Sequence, residues 1–373
     1  MERRLSKRRV TPLTKVRVGA LAIYKALEVV KSGNLVQGKN VQKLEKFFEN
    51  KYEGFSAVAV SNGTATLHLA LLALKIGPGD EVIVPAFSFV ATANVVELVG
   101  AKPVFVDVSR ESYNIEPDKI LSKINNKTKA IIVVDEFGNP FNVSGVLEKL
   151  KDLGIPLISD SACAIGSTFD GHPVGYFSNF ISFSFHPRKL VTSGEGGVLL
   201  VKDSNLTNQI RSLRNHGLSE HDGFLYAGFN YRMTEFQAAM LLPQLTRVPK
   251  IIEARRKVVS IYKEQLRDSR VMFQKVDDSA ETNYQTLFVT MKENFDFDNF
   301  KSYMLKNSVQ VSRGAQFIPA ELSYSKKYGD PMRNYPNAQY LYAFGVSLPL
   351  FESMKKSEVK RVCNLVTVYL KEN

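Results

Sequence analysis

Ser182-Phe183-Ser184-Phe185-His186-Pro187-Arg188-Lys189-Leu190-Val191-Thr192-Ser193-Gly194-Glu195-Gly196-Gly197 decides how this chain reads. An apolar-rich run closes on Ser184 and His186, Lys189 follows, and a glycine-rich turn ends the stretch. Upstream, Leu157-Ile158-Ser159-Asp160 reads as a buried strand ending in a carboxylate, and Ser61-Asn62-Gly63-Thr64-Ala65-Thr66 ends one strand and opens a helix. A lysine to form a Schiff base, an acid to pair with a pyridinium nitrogen and a helix start to hold a phosphate are the three parts that bind pyridoxal phosphate.

Outward from these fragments, strands alternate with helices. Strands are expected at residues 57–60, 81–85, 103–106, 129–134, 156–159, 180–185 and 197–201, and helices at 20–30, 41–52, 64–75, 91–98, 143–153 and 206–213. In the first helix Ala20, Ile23, Ala26 and Val29 or Val30 share a face. Such alternation predicts an α/β fold with a largely parallel sheet covered on both faces. Sites in such sheets lie at the carboxyl ends of the strands, where Ser61, Asp160 and the segment 184–189 all fall. From Thr234 the pattern changes. Thr234 with Gln237 suggests a capping box opening a long helix, which Pro243 and Pro249 bend or break before it resumes over 251–267. A smaller α+β unit follows, with strands at 285–291 and 309–311 and helices at 297–305 and 356–370. The expected organisation is a basic tail (1–18), a large cofactor domain (19–250) and a small C-terminal domain (251–373).

The totals set the broad class. The 373 residues are 44% hydrophobic and 23% charged, ordinary for a globular protein. No apolar run is long enough to span a membrane, and the N-terminus lacks a signal-peptide core. Cys163 and Cys363 alone build neither a disulfide framework nor a cysteine metal site, so a cytoplasmic setting is expected and no metal is assigned. Of the net charge of +12, half lies in residues 1–17, where seven basic residues face Glu2 alone. That segment reads as a solvated tail, with an anionic partner as the sharper alternative and nucleic acid disfavoured.

In this chemistry Lys189 is the nucleophile and the general acid–base. Its amine attacks only when neutral, which asks for a low-dielectric pocket. Asp160 keeps the ring nitrogen protonated, Phe89 offers an apolar face to the ring, and Ser184, Thr64 and the Ala65 N–H reach the phosphate. His186 reads equally as a packed or capping residue and as a proton carrier. His68 reads as a buried, hydrogen-bonded histidine. Cys163 has no base placed beside it in the sequence and reads as packing.

Several motifs in order, over Ser61–Ala73, Gly77–Asn94, Ala101–Asp107, Asp160–Gly166, Ser182–Gly197 and Gly228–Ala239, resemble the DegT/StrS-type sugar aminotransferases, fold-type I enzymes that use pyridoxal 5'-phosphate. The resemblance implies a mostly parallel seven-stranded sheet, a small C-terminal domain and a homodimer with shared active sites. It implies Lys189 as the Schiff-base lysine, Asp160 at the ring nitrogen, Cys163 beside the ring, and Thr64, Ala65 and Ser184 at the phosphate. Asn230 is implied to reach the phosphate of the partner subunit's cofactor. The expected reaction is transamination of a nucleotide-linked keto sugar with L-glutamate as donor and 2-oxoglutarate as co-product, in amino-sugar and polysaccharide biosynthesis. The run Asn230-Tyr231-Arg232-Met233-Thr234 resembles members acting at C4 of a 4-keto-6-deoxy sugar. The alternatives are dehydration or deoxygenation on the same cofactor, another keto-sugar or cyclitol substrate, or a cofactor-binding regulatory protein. Departures from the commonest pattern are Cys163 where Gln or His is frequent beside the ring, Asn34 where an aromatic often sits in the substrate loop, and the acids Asp135 and Glu136 where a His or neutral residue is common.

Overall fold

Short runs of small and β-branched residues build the central sheet. In the computed structural model, which describes residues 10–372 apart from 220, 268, 292–293, 330–331 and 333, its strands are β1 (Ser56–Val60), β2 (Glu81–Pro85), β3 (Lys102–Val106), β4 (Thr128–Val134), β5 (Leu157–Asp160), β6 (Phe180–Ser184) and β7 (Gly197–Val201). They lie in the order β1-β7-β6-β5-β4-β2-β3. The pairs β2–β3, β2–β4, β4–β5 and β5–β6 are parallel. β7 alone runs antiparallel to both of its neighbours, β1 and β6.

Alternate residues of one strand feed two cores, as the two-residue period of a strand requires. Val58 and Val60 with Leu199 and Val201 join one, while Ala57 and Ala59 with Val198 and Leu200 join the other. Helix α1 (Ala20–Ser32) precedes α2 (Lys39–Lys51), and α3 (Gly63–Ala73) and α4 (Ala91–Leu98) cover the sheet. α3 is apolar all round because it is enclosed all round, with eight of its residues buried. α1 departs from expectation: Ala22 and Val29 turn inward, whereas Leu21, Ile23, Tyr24, Leu27 and Val30 are exposed.

The capping box at Thr234 is present and opens α5 (Glu235–Leu245), which accommodates Pro243 without breaking. Its successor α6 (Val248–Gln265) carries Pro249 in its first turn, where a missing N–H costs nothing. α6 leaves one core and enters a third between Ile252 and Val258. That third core packs a separate antiparallel sheet, β8 (Val271–Phe273), β9 (Leu287–Met291) and β10 (Gly345–Leu348), against α7 (Phe297–Lys306) and α8 (Lys356–Glu372).

Two expectations need correction here. Residues 309–311 form no strand; Val309 makes a single parallel bridge to Thr11. The same contact shortens the solvated tail. Thr11 N–H donates to Ser308 O, Thr11 O accepts from Gln310 N–H, Leu13 O accepts from Leu350 N–H, and Thr11 is buried. Residues 1–9, with most of the basic cluster, lie outside the described residues. Among the described residues no helix is long and apolar enough to cross a membrane.

Candidate active site

Asp160 terminates β5, and the parallel register sets it opposite Val134 of β4 and Ser182 of β6. Its carboxylate is buried and held from two sides. The Thr92 hydroxyl in the first turn of α4 donates to Oδ2 at 2.9 Å, and the Ala162 N–H donates to Oδ1 at 3.3 Å. Lys189 lies in the turn that leaves β6, its N–H bonded to His186 O. Its amine donates to Cys163 Sγ at 3.0 Å. Cys163 is fixed in turn by the Asn283 side-chain amide, which donates to its carbonyl at 3.0 Å. The group that meets Cys163 is the Lys189 amine, brought in from the turn after the neighbouring strand.

The electrostatics of this cluster are mixed. Burial pushes the Asp160 carboxyl up, against the Thr92 hydroxyl and the Lys189 charge, which pull it down. Burial also raises the Cys163 thiol. For Lys189 burial alone would favour the neutral amine, but Cys163, Asp160 and Glu136 reverse it and hold the ammonium above the usual lysine value. The low-dielectric pocket expected from the sequence is present, yet its acids keep the lysine charged.

The turn into α3 meets the end of β6 closely. A Cβ built on Gly63 would stand 2.7 Å from Ser184 Cβ, so only glycine lets Ser184 approach the helix start. Asn62 caps the helix, its Oδ1 accepting from Ala65 N–H at 2.8 Å. The Ala65 amide assigned to the phosphate is therefore engaged by Asn62, a residue the sequence reading passed over although Asn is a favoured N-cap. Thr64 is exposed at the same turn. Phe89, at the entry to α4, is 61% exposed. Asn230 is exposed and bridges Asn215. His186 is turned elsewhere: Nδ1 accepts from Arg188 N–H at 3.1 Å, and Nε2 faces Glu195 at 3.9 Å. His68 is buried with Nδ1 3.2 Å from the Tyr231 hydroxyl.

Residues 18–367 match the model of the DegT/DnrJ/EryC1/StrS aminotransferase family. The chain belongs to that family. It is 32% identical over 335 residues to the GDP-perosamine synthase of Escherichia coli O157:H7, covering 89% of this chain and 91% of that protein. The GDP-perosamine synthase of Vibrio cholerae is similar to the same degree, 32% over 341 residues. Among solved structures, a Streptococcus pneumoniae protein described as a sugar aminotransferase, in its PMP-form, superposes with a TM-score of 0.91 at 26% identity over 97% of this chain and 98% of that one. Its PLP-form matches with the same score and identity. DegT-family members are pyridoxal-phosphate enzymes, and the residues present fit that cofactor. A buried carboxylate that accepts from Thr92 is influenced by the Lys189 amine of the turn after the next strand, and the glycine at position 63 lets Ser184 approach the helix start. Glu136, one of the two acids noted as a departure from the DegT pattern, joins this cluster in space; no spacing in the sequence marked it.

Proposed function

We propose that this aminotransferase transfers the amino group of L-glutamate to a keto sugar carried on a nucleotide, releasing 2-oxoglutarate, with C4 of a 4-keto-6-deoxy sugar as the acceptor carbon. The observation that carries the reading is the meeting of Lys189 and Asp160 at the carboxyl ends of adjacent strands, the one against Cys163 and the other under Thr92. The similarity to two GDP-perosamine synthases supports the sugar and its nucleotide carrier. When bound, pyridoxal phosphate supplies an electron sink that stabilises a carbanion beside nitrogen.

The chain's own groups do the rest. Asp160, buried and fixed by Thr92 and the Ala162 N–H, would hold a proton on a ring nitrogen as its counter-ion. Lys189 is placed to bind the cofactor and, once free, to carry a proton at Nζ between donor and acceptor carbons. Ser184 and Thr64, with backbone N–H groups at the start of α3, provide the phosphate end. Phe89 leaves a bare aromatic face for the ring. His186, bonded to Arg188 and facing Glu195, orders the turn that carries Lys189.

The same reading includes a homodimer. The apolar outer face of α1 (Leu21, Ile23, Tyr24, Leu27, Val30) is exposed, as an interface strip is before association. Asn230, exposed in this chain, is proposed to meet the partner's phosphate site. The test is incubation with glutamate labelled at its amino nitrogen and a GDP-linked 4-keto-6-deoxy sugar, followed by mass spectrometry. Labelled nitrogen in the sugar supports the proposal. A product that has lost an oxygen without gaining nitrogen favours deoxygenation, and no change with any nucleotide keto sugar removes the substrate class. Lys189→Ala, folded but inactive, is the control.

A further inference from the structure

The peptide unit from which Lys189 projects is held at both ends. Its N–H donates to His186 O at 2.9 Å, and its oxygen, on Arg188, accepts from the Gln285 side-chain amide at 2.6 Å. Gln285 comes from far along the chain, in the segment 282–285 that leads into β9 of the small antiparallel sheet. Two residues earlier, the Asn283 side-chain amide donates to Cys163 O and to Ile165 O, both at 3.0 Å. Cys163 is the residue whose sulfur the Lys189 amine meets. One short segment therefore grips both sides of that contact, each through a backbone carbonyl.

The segment is itself braced. Asn283 and Gln285 are buried. Asn283 N–H donates to Ser167 Oγ at 2.9 Å, and Asn283 Oδ1 accepts from Gln285 N–H at 2.7 Å. The turn so formed puts Tyr284 at a φ of 50°, a region that a bulky side chain rarely enters. Gly138 makes room for it, since a Cβ there would collide with Asn283 Oδ1. Arg255 of α6, also buried, donates from Nε to Tyr284 O at 2.8 Å and from Nη2 to Gln285 O at 2.6 Å. Desolvating a guanidinium to serve two carbonyls is costly, and an apolar side chain would cover the same core without that cost. Because α6 continues into the third core, the brace joins the turns at the ends of β5 and β6 to the small sheet.

We propose that Gln285 is a positioning residue for Lys189, acting with Asn283 to fix where the amine stands relative to Cys163. Gln285 acts through the Arg188 carbonyl, and the length of the lysine side chain magnifies at Nζ any rotation of that peptide. A misplacement of about 1 Å at a reacting group is enough for a loss of rate on the order of a hundredfold. The inference rests on the pyridoxal-phosphate aminotransferase reading of Lys189 and adds the segment that aims it.

The test uses the full chain with and without cofactor. In the apoprotein, amide hydrogen exchange over residues 186–193 reports on the Lys189 turn. Gln285→Met, of similar length but with no donor, should speed exchange there on the order of tenfold, with β5 and β7 unchanged. Gln285→His, whose Nε2–H stands about as far from the backbone as the Gln amide, should restore the protection. In the enzyme loaded with pyridoxal phosphate, Gln285→Met should lower kcat by about tenfold to a hundredfold with little change in KM for glutamate, and Gln285→His should recover most of the loss. Where Gln285→Met melts well below the wild type, Gln285→Ala, which buries no new apolar group, takes its place in both measurements. Unchanged exchange over 186–193 in a folded variant overturns the proposal. So does a loss of protection shared equally by β5 and β7, which marks a general packing role, and so does faster exchange with kcat intact, which shows that the turn moves without disturbing Lys189. A wild type that binds no pyridoxal phosphate fails the cofactor reading instead, and the exchange measurement, which needs no cofactor, then decides alone on the hold of Gln285 over the Lys189 turn.

Discussion

The Lys189 amine donates to the Cys163 sulfur across 3.0 Å. Cys163 and the acids beside it outweigh burial in holding the ammonium. Cys163→Ala should therefore free the lone pair at lower pH. In visible-absorption measurements of pyridoxal phosphate uptake by the apoprotein against pH, the upper, lysine-dependent step should move down. Cys163→Ser, whose hydroxyl accepts the bond but does not ionise in this range, should show the same direction with less loss of Lys189 positioning. An upper step at the wild-type pH in both variants would mean that the sulfur has no hold on the lysine.

Thr92 and Asp160 give a second expectation. Burial favours the neutral carboxyl, and the Thr92 hydroxyl at 2.9 Å is the first group that opposes it. Thr92→Val keeps the shape and removes the donor. A hydrogen bond to a charged acceptor is worth about 1.5–3 kcal/mol, so pyridoxal phosphate should bind about tenfold or more weakly, as equilibrium titration of the apoprotein would measure. Asp160→Ala should cost turnover more than it costs cofactor attachment. Unaltered affinity in Thr92→Val would show that Asp160 stays charged without help.

The part of this site that the sequence revealed is the part that periodicity and topology control. The strands at Glu81–Pro85 and Gly197–Val201 and the helix at Ala91–Leu98 fall where apolar runs and glycine or proline boundaries put them, and the strand-end rule gathered Asp160, Ser184 and Lys189. Pairing between distant segments was not legible. Val309 looked like a strand residue because it is β-branched, but its partner is Thr11 from the other end of the chain. Phe87–Ser88 became a two-residue strand only because Gln316–Phe317 lies beside it. On α1 the spacing named an apolar face, yet the helix is apolar on more than one side, and contact with α5 chose Ala22 and Val29. Glu136 stood out only as a departure from the family pattern; its burial is set by the tertiary fold.

Glu235 ties the start of α5 to the start of α2. Its carboxylate accepts from Gly38 N–H at 2.8 Å, Asn40 N–H at 2.8 Å and Val41 N–H at 2.9 Å, and it is buried. Those amides are donors that a helix N-terminus cannot satisfy internally, and the negative charge suits the positive end of the helix dipole. Glu235→Ala should destabilise the fold by about 2–4 kcal/mol, read as a lower denaturant midpoint with an unchanged slope. Glu235→Gln, which keeps one acceptor oxygen, should fall between. A midpoint within error of the wild type would show that water replaces the carboxylate at no cost.

The acids at the end of β4 also predict how stability depends on pH. Burial raises the Asp135 carboxyl to about 6 and the Glu136 carboxyl to about 7. A raised carboxyl means that the folded state binds the proton more tightly than the unfolded chain. Its contribution is fully present below the unfolded value, about 4, and is lost as pH rises through 6 to 7. The depressed His68 and His186 work in the opposite direction, since their stabilisation is lost as pH falls through the unfolded histidine value. The difference between wild type and Glu136→Gln therefore isolates one group. The variant should be close to the wild type in stability near pH 5 and more stable by on the order of 2 kcal/mol near pH 8, because it never buries the charge. Denaturant titrations of both proteins at the two pH values measure this; a difference that does not grow with pH would show that Glu136 is ionised in the folded protein throughout.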